Sequence, residues 1–220
     1  MNIGIIGSGG REHSLCYKLN ESKLVNKIYC FPGNAGTKKI GENIDIEVSD
    51  FKKIKEECLK KKIKLLVVGP EQPLVNGIVE YFYDTNIKIF GPNKISSQLE
   101  GSKTFTKKLC KKYNIPTSNF EIFNDAKSAL HSLKDKKYPL VIKADGLAAG
   151  KGVYMCKNEN EGNSAIKEIF NGRFGKAECV LIEEFLSGEE MSYFVICDGS
   201  HYKFFQTAQD HKRVGENDTG

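Results

Sequence analysis

Residues 143–152 read Lys-Ala-Asp-Gly-Leu-Ala-Ala-Gly-Lys-Gly, with 138–142 (YPLVI) before them and 153–156 (VYMC) after them. Both flanking runs have the composition of short strands, so a loop with three glycines and two lysines is pinned between two strands. Glycine lets a backbone approach a ligand closely, and exposed N–H groups there can cradle phosphate oxygens. Lys143 puts a point charge at the end of the first strand, and Lys151 puts one at the tip of the loop. The P-loop pattern fails, because Gly150-Lys151 is followed by Gly152 and not by a hydroxyl residue. A loop of this kind suits a flap that closes over a triphosphate. An ordinary glycine hairpin with solvated lysines has the same composition.

The chain has 220 residues, 40% hydrophobic and 28% charged, an ordinary globular composition for one large domain or two smaller ones. Its net charge of +5 favours anionic small molecules. Lysine runs such as Lys52-Lys53, Lys60-Lys61-Lys62, Lys107-Lys108 and Lys111-Lys112 lie on amphipathic helix patterns and are predicted to be solvated faces, not a nucleic-acid surface. The seven cysteines include no C-x-x-C, and several sit in apolar runs as small hydrophobes. Free thiols in a reducing compartment are expected, with no disulfide and no zinc. No apolar stretch is long enough to span a bilayer and no charged leader precedes the first strand, so a cytoplasmic location without membrane contact is expected.

The chain opens with the apolar run 2–6 (NIGII), then Gly7-Ser8-Gly9-Gly10-Arg11-Glu12-His13 and a helical pattern to Leu19. Strand, glycine turn and helix form the first unit of a nucleotide- or phosphate-binding α/β domain. The dinucleotide fingerprint is incomplete, since glycine is needed where Glu12 stands and no ribose-binding acid follows the second strand, 27–31 (KIYCF). A phosphate at the helix N-terminus, with Arg11 beside it, remains a candidate. Ser49 is a predicted cap for a helix with apolar positions Phe51, Ile54, Cys58 and Leu59. The run 65–68 (LLVV) is a buried parallel strand, 69–73 (GPEQP) turns the chain into a helix ending near Thr85, and 87–90 (IKIF) is a fourth strong strand. The fold class is therefore α/β: an open, Rossmann-like parallel sheet over residues 1 to about 92. Its strand ends gather Gly9, Gly10 and Arg11 with Gly33-Asn34 and with Pro70 and Glu71, where such sheets bind ligands. Plain turn chemistry accounts equally well for Asn34 and Glu71.

Residues 96–113 are helical, broken at Gly101-Ser102 with Ser102 as the cap. Lys103 then falls in a first turn, where a cation opposes the helix dipole, which suggests that it faces an anion. Strands at 120–123, 140–143, 153–156 and 179–183, with helices at 126–133 and 161–170, form a separate α+β unit. After Glu183 to Glu190, runs 191–197 and 202–207 read as an antiparallel pair turned at Asp198-Gly199.

A lysine on a strand, a glycine flap, and a strand running into Glu-Glu-Phe-Leu-x-Gly-Glu-Glu resemble the ATP-grasp fold, here incomplete. The chain resembles more closely the phosphoribosylamine–glycine ligase family, also called glycinamide ribonucleotide synthetase. That likeness is carried by 7–13 (GSGGREH), 32–37 (PGNAGT), 68–71 (VGPE), 143–152 and 209–215 (QDHKRVG), in family order across the whole chain. It implies an N-terminal phosphoribosylamine-binding domain at 1–101 in the pre-ATP-grasp position, a flap subdomain at 120–187, and parts of the ATP-grasp core at 102–119 and 188–220. It also implies that Lys103 and Lys143 contact ATP phosphates and that Gly146, Gly150, Lys151 and Gly152 form the flap. Glu183, Glu184, Phe185 and Leu186 would bind adenine, and Glu190 the ribose hydroxyls. Gly9, Gly10, Arg11, Glu12, Asn34, Gly36, Pro70 and Glu71 would hold phosphoribosylamine. Asp210, Lys212 and Arg213, with Lys143, would act at the transferred phosphate. Read without the likeness, acids such as Glu183, Glu184, Glu189 and Glu190 are solvated charge at a strand end.

The resemblance implies that glycine is activated by ATP to glycyl phosphate, with Mg²⁺ or Mn²⁺ and lysines neutralising charge, and is then captured by the amine of 5-phosphoribosylamine. The family motif continues past Gly220, so the metal ligands are expected beyond this chain. Residues 1–220 alone are expected to be inactive, and the full-length form to be a monomer or weak dimer. Another ATP-grasp carboxylate–amine ligase, and a non-catalytic nucleotide-binding module should the chain end at Gly220, remain open alternatives.

Overall fold

The computed structural model describes residues 1–147, 151–175, 177–209, 211 and 215. Two compact units divide the chain, Met1–Glu184 and Phe185–Gly220. In the first unit the elements run β1 (Asn2–Gly7), α1 (Gly10–Asn20), β2 (Lys27–Pro32), β3 (Glu42–Asn43), α2 (Phe51–Lys60), β4 (Ile63–Val68), α3 (Glu71–Val75), α4 (Ile78–Tyr81) and β5 (Lys88–Phe90). They continue with α5 (Gln98–Gly101), α6 (Lys103–Tyr113), β6 (Phe120–Phe123), α7 (Ala126–Ser132), β7 (Leu140–Ala144), β8 (Val153–Cys156), α8 (Glu159–Phe170) and β9 (Val180–Glu184).

Five parallel strands form the first sheet in the order β3-β2-β1-β4-β5. Its central strands are apolar at consecutive positions because both faces are covered. On one face Ile6, Phe31 and Leu66 pack against Ile54 and Cys58 of α2 and Ile78 of α4. On the other, Ile3, Ile5, Ile28 and Cys30 pack against Cys16, Leu15 and Leu19 of α1. Cys16, Cys30 and Cys58 fill these layers as small apolar groups, and burial pushes the Cys30 thiol up to about 12.

Three details differ from the sequence reading. The edge strand β3 is only two residues long, too short for an alternation to show. The single helix expected after the 69–73 turn and ending near Thr85 is two, α3 and α4, the first beginning at Glu71 inside that turn; they are parted by Gly77 at φ 91°, a left-handed conformation that ends the first and starts the second. The cap of α2 is Asp50, whose side chain accepts from the Lys53 N–H, so Ser49 lies one residue outside it.

The second sheet has four strands in the order β6-β9-β7-β8, antiparallel throughout. Along β7 the pleat sends Leu140, Ile142 and Ala144 into a core with α7 and α8, including Leu133, Ile166 and Ile169. Val141 and Lys143 face the other way. Val141 pairs with Glu183 and Lys143 with Leu181, so Lys143 and Glu183 are diagonal neighbours on the face away from that core.

The second unit, taken by itself, holds β10 (Met191–Ser192), β11 (Val195–Cys197), β12 (Tyr202–Phe204) and β13 (Ala208–Gln209). β11 pairs with β12 and β10 with β13, both antiparallel, in agreement with the hairpin read at Asp198-Gly199. Tyr202 and Phe204 stack edge to face at 5.2 Å. No described helix is long and apolar enough to cross a membrane.

Ile142 is fully buried, so Ile142→Ala is expected to cost about 2–5 kcal/mol in urea denaturation. Val141→Ala, on the less buried face, is expected to cost clearly less. Equal costs would contradict this packing.

Candidate functional site

The loops after β1, β2 and β4 meet at the carboxyl edge of the parallel sheet. Asn34 Nδ2 donates to the carbonyls of Ser8 and Gly9 at 2.9 and 3.1 Å, and its Oδ1 accepts from the N–H groups of Gly36 and Thr37. Asn34 thus locks the second loop to the first. Arg11 Nη1 reaches Glu71 Oε1 at 2.9 Å, joining α1 to the start of α3 beside Pro70, its N-cap. The bond to Glu71 raises the Arg11 pKa; burial pushes Glu71 up, but its own N–H and Arg11 outweigh this and hold it below the usual range.

Glu12 is the pivot of this edge. It is 5% exposed, and its Oε2 accepts from the Gly9 N–H at 2.6 Å, across the N-terminus of α1. A Cβ on Gly7 would lie 2.7 Å from the Glu12 side chain, one on Gly9 2.9 Å, and one on Gly69 2.1 Å. These glycines make room for a carboxylate of the protein itself. Glu12 thus satisfies the N-cap N–H of Gly9 from within the chain, at the position where the dinucleotide fingerprint would have a glycine. Gly10 is exposed with open space around it, and Gly36 lies against the His13 ring.

Around the four-stranded sheet, Glu183 on β9 is 4% exposed and its Oε2 collects three donors. Lys143 Nζ and Lys107 Nζ each lie 3.0 Å away, and Ser118 Oγ donates at 2.8 Å. Lys107 also donates to Ser118 Oγ at 2.5 Å and to Thr117 Oγ1 at 2.8 Å. Burial pushes the Glu183 carboxyl up, but the bonds from Ser118, Lys143 and Lys107 outweigh it and hold the pKa below the usual carboxylate value. Glu183 Oε1 is buried and has no hydrogen-bond partner among the described residues. Next to it, Glu184 is exposed and accepts from Asn119 N and Nδ2 at 2.8 and 3.0 Å. Glu183 is thus a buried, paired charge and not solvated charge at a strand end.

Lys107 corrects the sequence reading more sharply. Expected on a solvated face, it is 9% exposed and pairs with the buried acid. The signal was present: Lys107 stands one helical turn after Lys103 on the same face of α6.

The glycine loop joins β7 to β8 as the strand pattern predicts, with Lys143 opposite Val153 and the Ala144 N–H donating to the Gly152 carbonyl at 2.8 Å. Lys103 donates to the Gly146 carbonyl at 2.9 Å, so the anion-facing cation read at this helix start meets a loop carbonyl. The acid there is Asp145, missed by the sequence reading, which accepts from Ser102 Oγ at 3.0 Å and from the Thr104 N–H at 3.1 Å. Ser102 caps α6 as expected by accepting from Phe105 N. Gly146 has φ 89° and open space where a Cβ would stand, Lys151 is exposed and Gly152 is buried. Phe185, Leu186 and Glu190 belong to the second unit and are exposed. Gly150, Asp210, Lys212 and Arg213 lie outside the described residues. Among the described residues, no group of three or more His, Cys, Asp or Glu is placed to hold a metal ion.

A parallel sheet with its loops gathered at one edge, followed by an antiparallel sheet with a glycine hairpin and a buried lysine–glutamate cluster, has the architecture of the ATP-grasp proteins. Residues 1–100 match the N domain of phosphoribosylglycinamide synthetase, and residues 101–220 match its ATP-grasp (A) domain. The chain belongs to the phosphoribosylglycinamide synthetase family. It is 48% identical to phosphoribosylamine–glycine ligases of Mesorhizobium japonicum and Pasteurella multocida, over all of this chain and 52% of each relative. A solved phosphoribosylamine–glycine ligase from Thermotoga maritima superposes on the whole chain with TM-score 0.81 at 32% identity, covering 53% of that protein. An N5-carboxyaminoimidazole synthetase from Staphylococcus aureus complexed with ADP shares the fold, with TM-score 0.68 at 21% identity over 96% of this chain and 55% of its own. The chain spans about half the length of the curated relatives it matches.

Two outcomes test this geometry. Gly69→Ala is expected to displace the Glu12 carboxylate and destabilise the protein by about 1–3 kcal/mol, and the cost is expected to shrink when Glu12→Ala is combined with it. Additive costs in a double-mutant cycle would break the link between the two. For Glu183, the folded carboxyl sits below its ordinary value of 4.5, so its stabilisation is complete above that value and is lost as pH falls through the depressed one. Glu183→Gln is expected to cost about 3–5 kcal/mol at neutral pH by stranding the lysines. In urea denaturation it is also expected to flatten the acid loss of stability, and an equally steep loss would contradict the assignment.

Proposed function

We propose that this chain is the substrate-amine and nucleotide-binding part of an ATP-dependent ligase that joins glycine to 5-phosphoribosylamine, giving glycinamide ribonucleotide, ADP and phosphate in purine biosynthesis. One observation carries the reading: Lys103 and Lys143 both stand at the first turn of the glycine hairpin, Lys143 on a buried Glu183 whose Oε1 has no partner among the described residues. Such a seat presents cations to phosphate oxygens and an acceptor to an amine. The ADP complex of the structurally similar synthetase supports a nucleotide as the ligand.

In this reading residues 1–101 hold phosphoribosylamine, through Gly9, Gly10, Arg11, Glu12, Asn34, Gly36, Pro70 and Glu71. Residues 120–187 form the flap, with Gly146, Gly150, Lys151 and Gly152 at its tip, and residues 102–119 and 188–220 belong to the ATP-grasp core. Glu183, Glu184, Phe185 and Leu186 bind adenine and Glu190 the ribose. Lys143, Asp210, Lys212 and Arg213 act where the phosphoryl group moves.

The chemistry follows from the substrates. A glycine carboxylate oxygen attacks the terminal phosphorus of ATP, the bond to the bridging oxygen breaks, and ADP leaves. The amine of phosphoribosylamine then attacks the acyl carbon of glycyl phosphate, an amide C–N bond forms, the C–O bond to phosphate breaks and a proton is released. Lys103 and Lys143 offset the charge on the transferred group. A closed flap keeps water from the acyl phosphate. Among the described residues no group of three or more His, Cys, Asp or Glu is placed to hold Mg²⁺ or Mn²⁺. The full protein is taken to be cytoplasmic and a monomer or weak dimer; in this chain Cys16, Cys30, Cys58, Cys156 and Cys179 are buried free thiols.

The test is ADP release by the full-length gene product with ATP, Mg²⁺, glycine and freshly generated phosphoribosylamine, each omitted in turn. Release is expected to require both glycine and the phosphosugar amine, and Lys143→Ala is expected to lower it by at least about 100-fold. Release independent of glycine would replace this substrate assignment.

A further inference from the structure

Lys107 is a buried lysine to which none of the roles above is given. It lies on α6, 9% exposed, 5.6 Å over the Phe120 ring, with its ammonium on Thr117, Ser118 and Glu183. Lys143 shares the same Glu183 oxygen at the same 3.0 Å, but its side chain keeps 27% exposure against 11% for Lys107.

We infer that Lys107 is a positioning residue: by holding Glu183 Oε2 together with Ser118, it leaves Lys143 free to exchange that oxygen for an anionic ligand. A carboxylate buried with a single cation grips it, because solvent does not compensate the charge if the cation leaves. With Lys107 in place, Glu183 stays paired when Lys143 turns away. Two ammonium groups against one oxygen also repel each other, which weakens the hold on the more exposed one. The clamp from Ser118 and Lys107 acts on Oε2 alone and leaves Oε1 an acceptor without a partner among the described residues. The inference deepens the proposed function and rests on its reading of Lys143 as a phosphate contact.

The test uses the full-length gene product with Lys107→Met, which keeps the length and drops the charge, and Lys107→Arg, which keeps the charge. Should the methionine variant not fold, Lys107→Gln gives the same comparison. Without nucleotide, trace acetic anhydride followed by peptide mass spectrometry reads the reactivity of Lys143. Lys107→Met is expected to slow labelling at Lys143 several-fold by tightening its pair with Glu183, and Lys107→Arg to restore it. An unchanged or faster rate overturns the inference. Calorimetry with ADP and with adenosine then reads ligand binding. Lys107→Met is expected to weaken ADP about tenfold and adenosine less than about twofold. Equal weakening of both would mean that Lys107 shapes the nucleoside seat and would overturn the inference. Wild-type protein that binds neither would count against the nucleotide reading of the site, while the labelling rates still judge Lys107.

Discussion

Glu183 is the constraint around which the second half of the first unit is arranged. A carboxylate withdrawn from water costs several kcal/mol unless it is paired and hydrogen-bonded. The partners come from three separate stretches: Lys107 from α6, Ser118 from the segment before β6, and Lys143 from the end of β7. Satisfying one acid therefore ties a helix, a connecting segment and two strands together. The same tie fixes where the glycine hairpin begins, since Lys143 is the last side chain of β7 facing Glu183 before the loop.

Both helix starts near the candidate ligand seats receive a carboxylate of the protein. Glu12 covers the start of α1, and Asp145 accepts from the first turn of α6. Each satisfies one backbone N–H at its helix start, that of Gly9 and that of Thr104. Glu12 also accounts for three glycines: Gly7 and Gly9 of the first loop and Gly69 after β4 all border its side chain.

The sequence disclosed the parts whose physics is local. The apolar runs of β1, β2 and β4 are uninterrupted because both sheet faces are covered, and β6 and β8 match their predicted limits because β-branched and aromatic runs end abruptly at turns. Ser102 was legible as a cap, its hydroxyl lying three residues before Phe105. What escaped depends on distant pairing. The two-residue β3 exists only because β2 offers an edge, and Gly77 divides a helix by a backbone angle that composition does not reveal. Lys107 looked like one more charge on a helix, and only the approach of Glu183, distant in sequence, makes it a buried cation.

The position of β8 in its sheet has a mechanical consequence. β7 is gripped on both sides, by β9 and by β8, whereas among the described residues β8 has a neighbouring strand on one side only. The hairpin that carries the glycine loop thus has one stiff arm and one compliant arm. The stiff arm bears Lys143 and keeps its root registered against Glu183. The compliant arm, with Val153 and Met155 exposed, can bend by giving up a single ladder while the core under Ile142 and Ile166 stays shut. The charged root of the hairpin is therefore the more firmly held of its two ends.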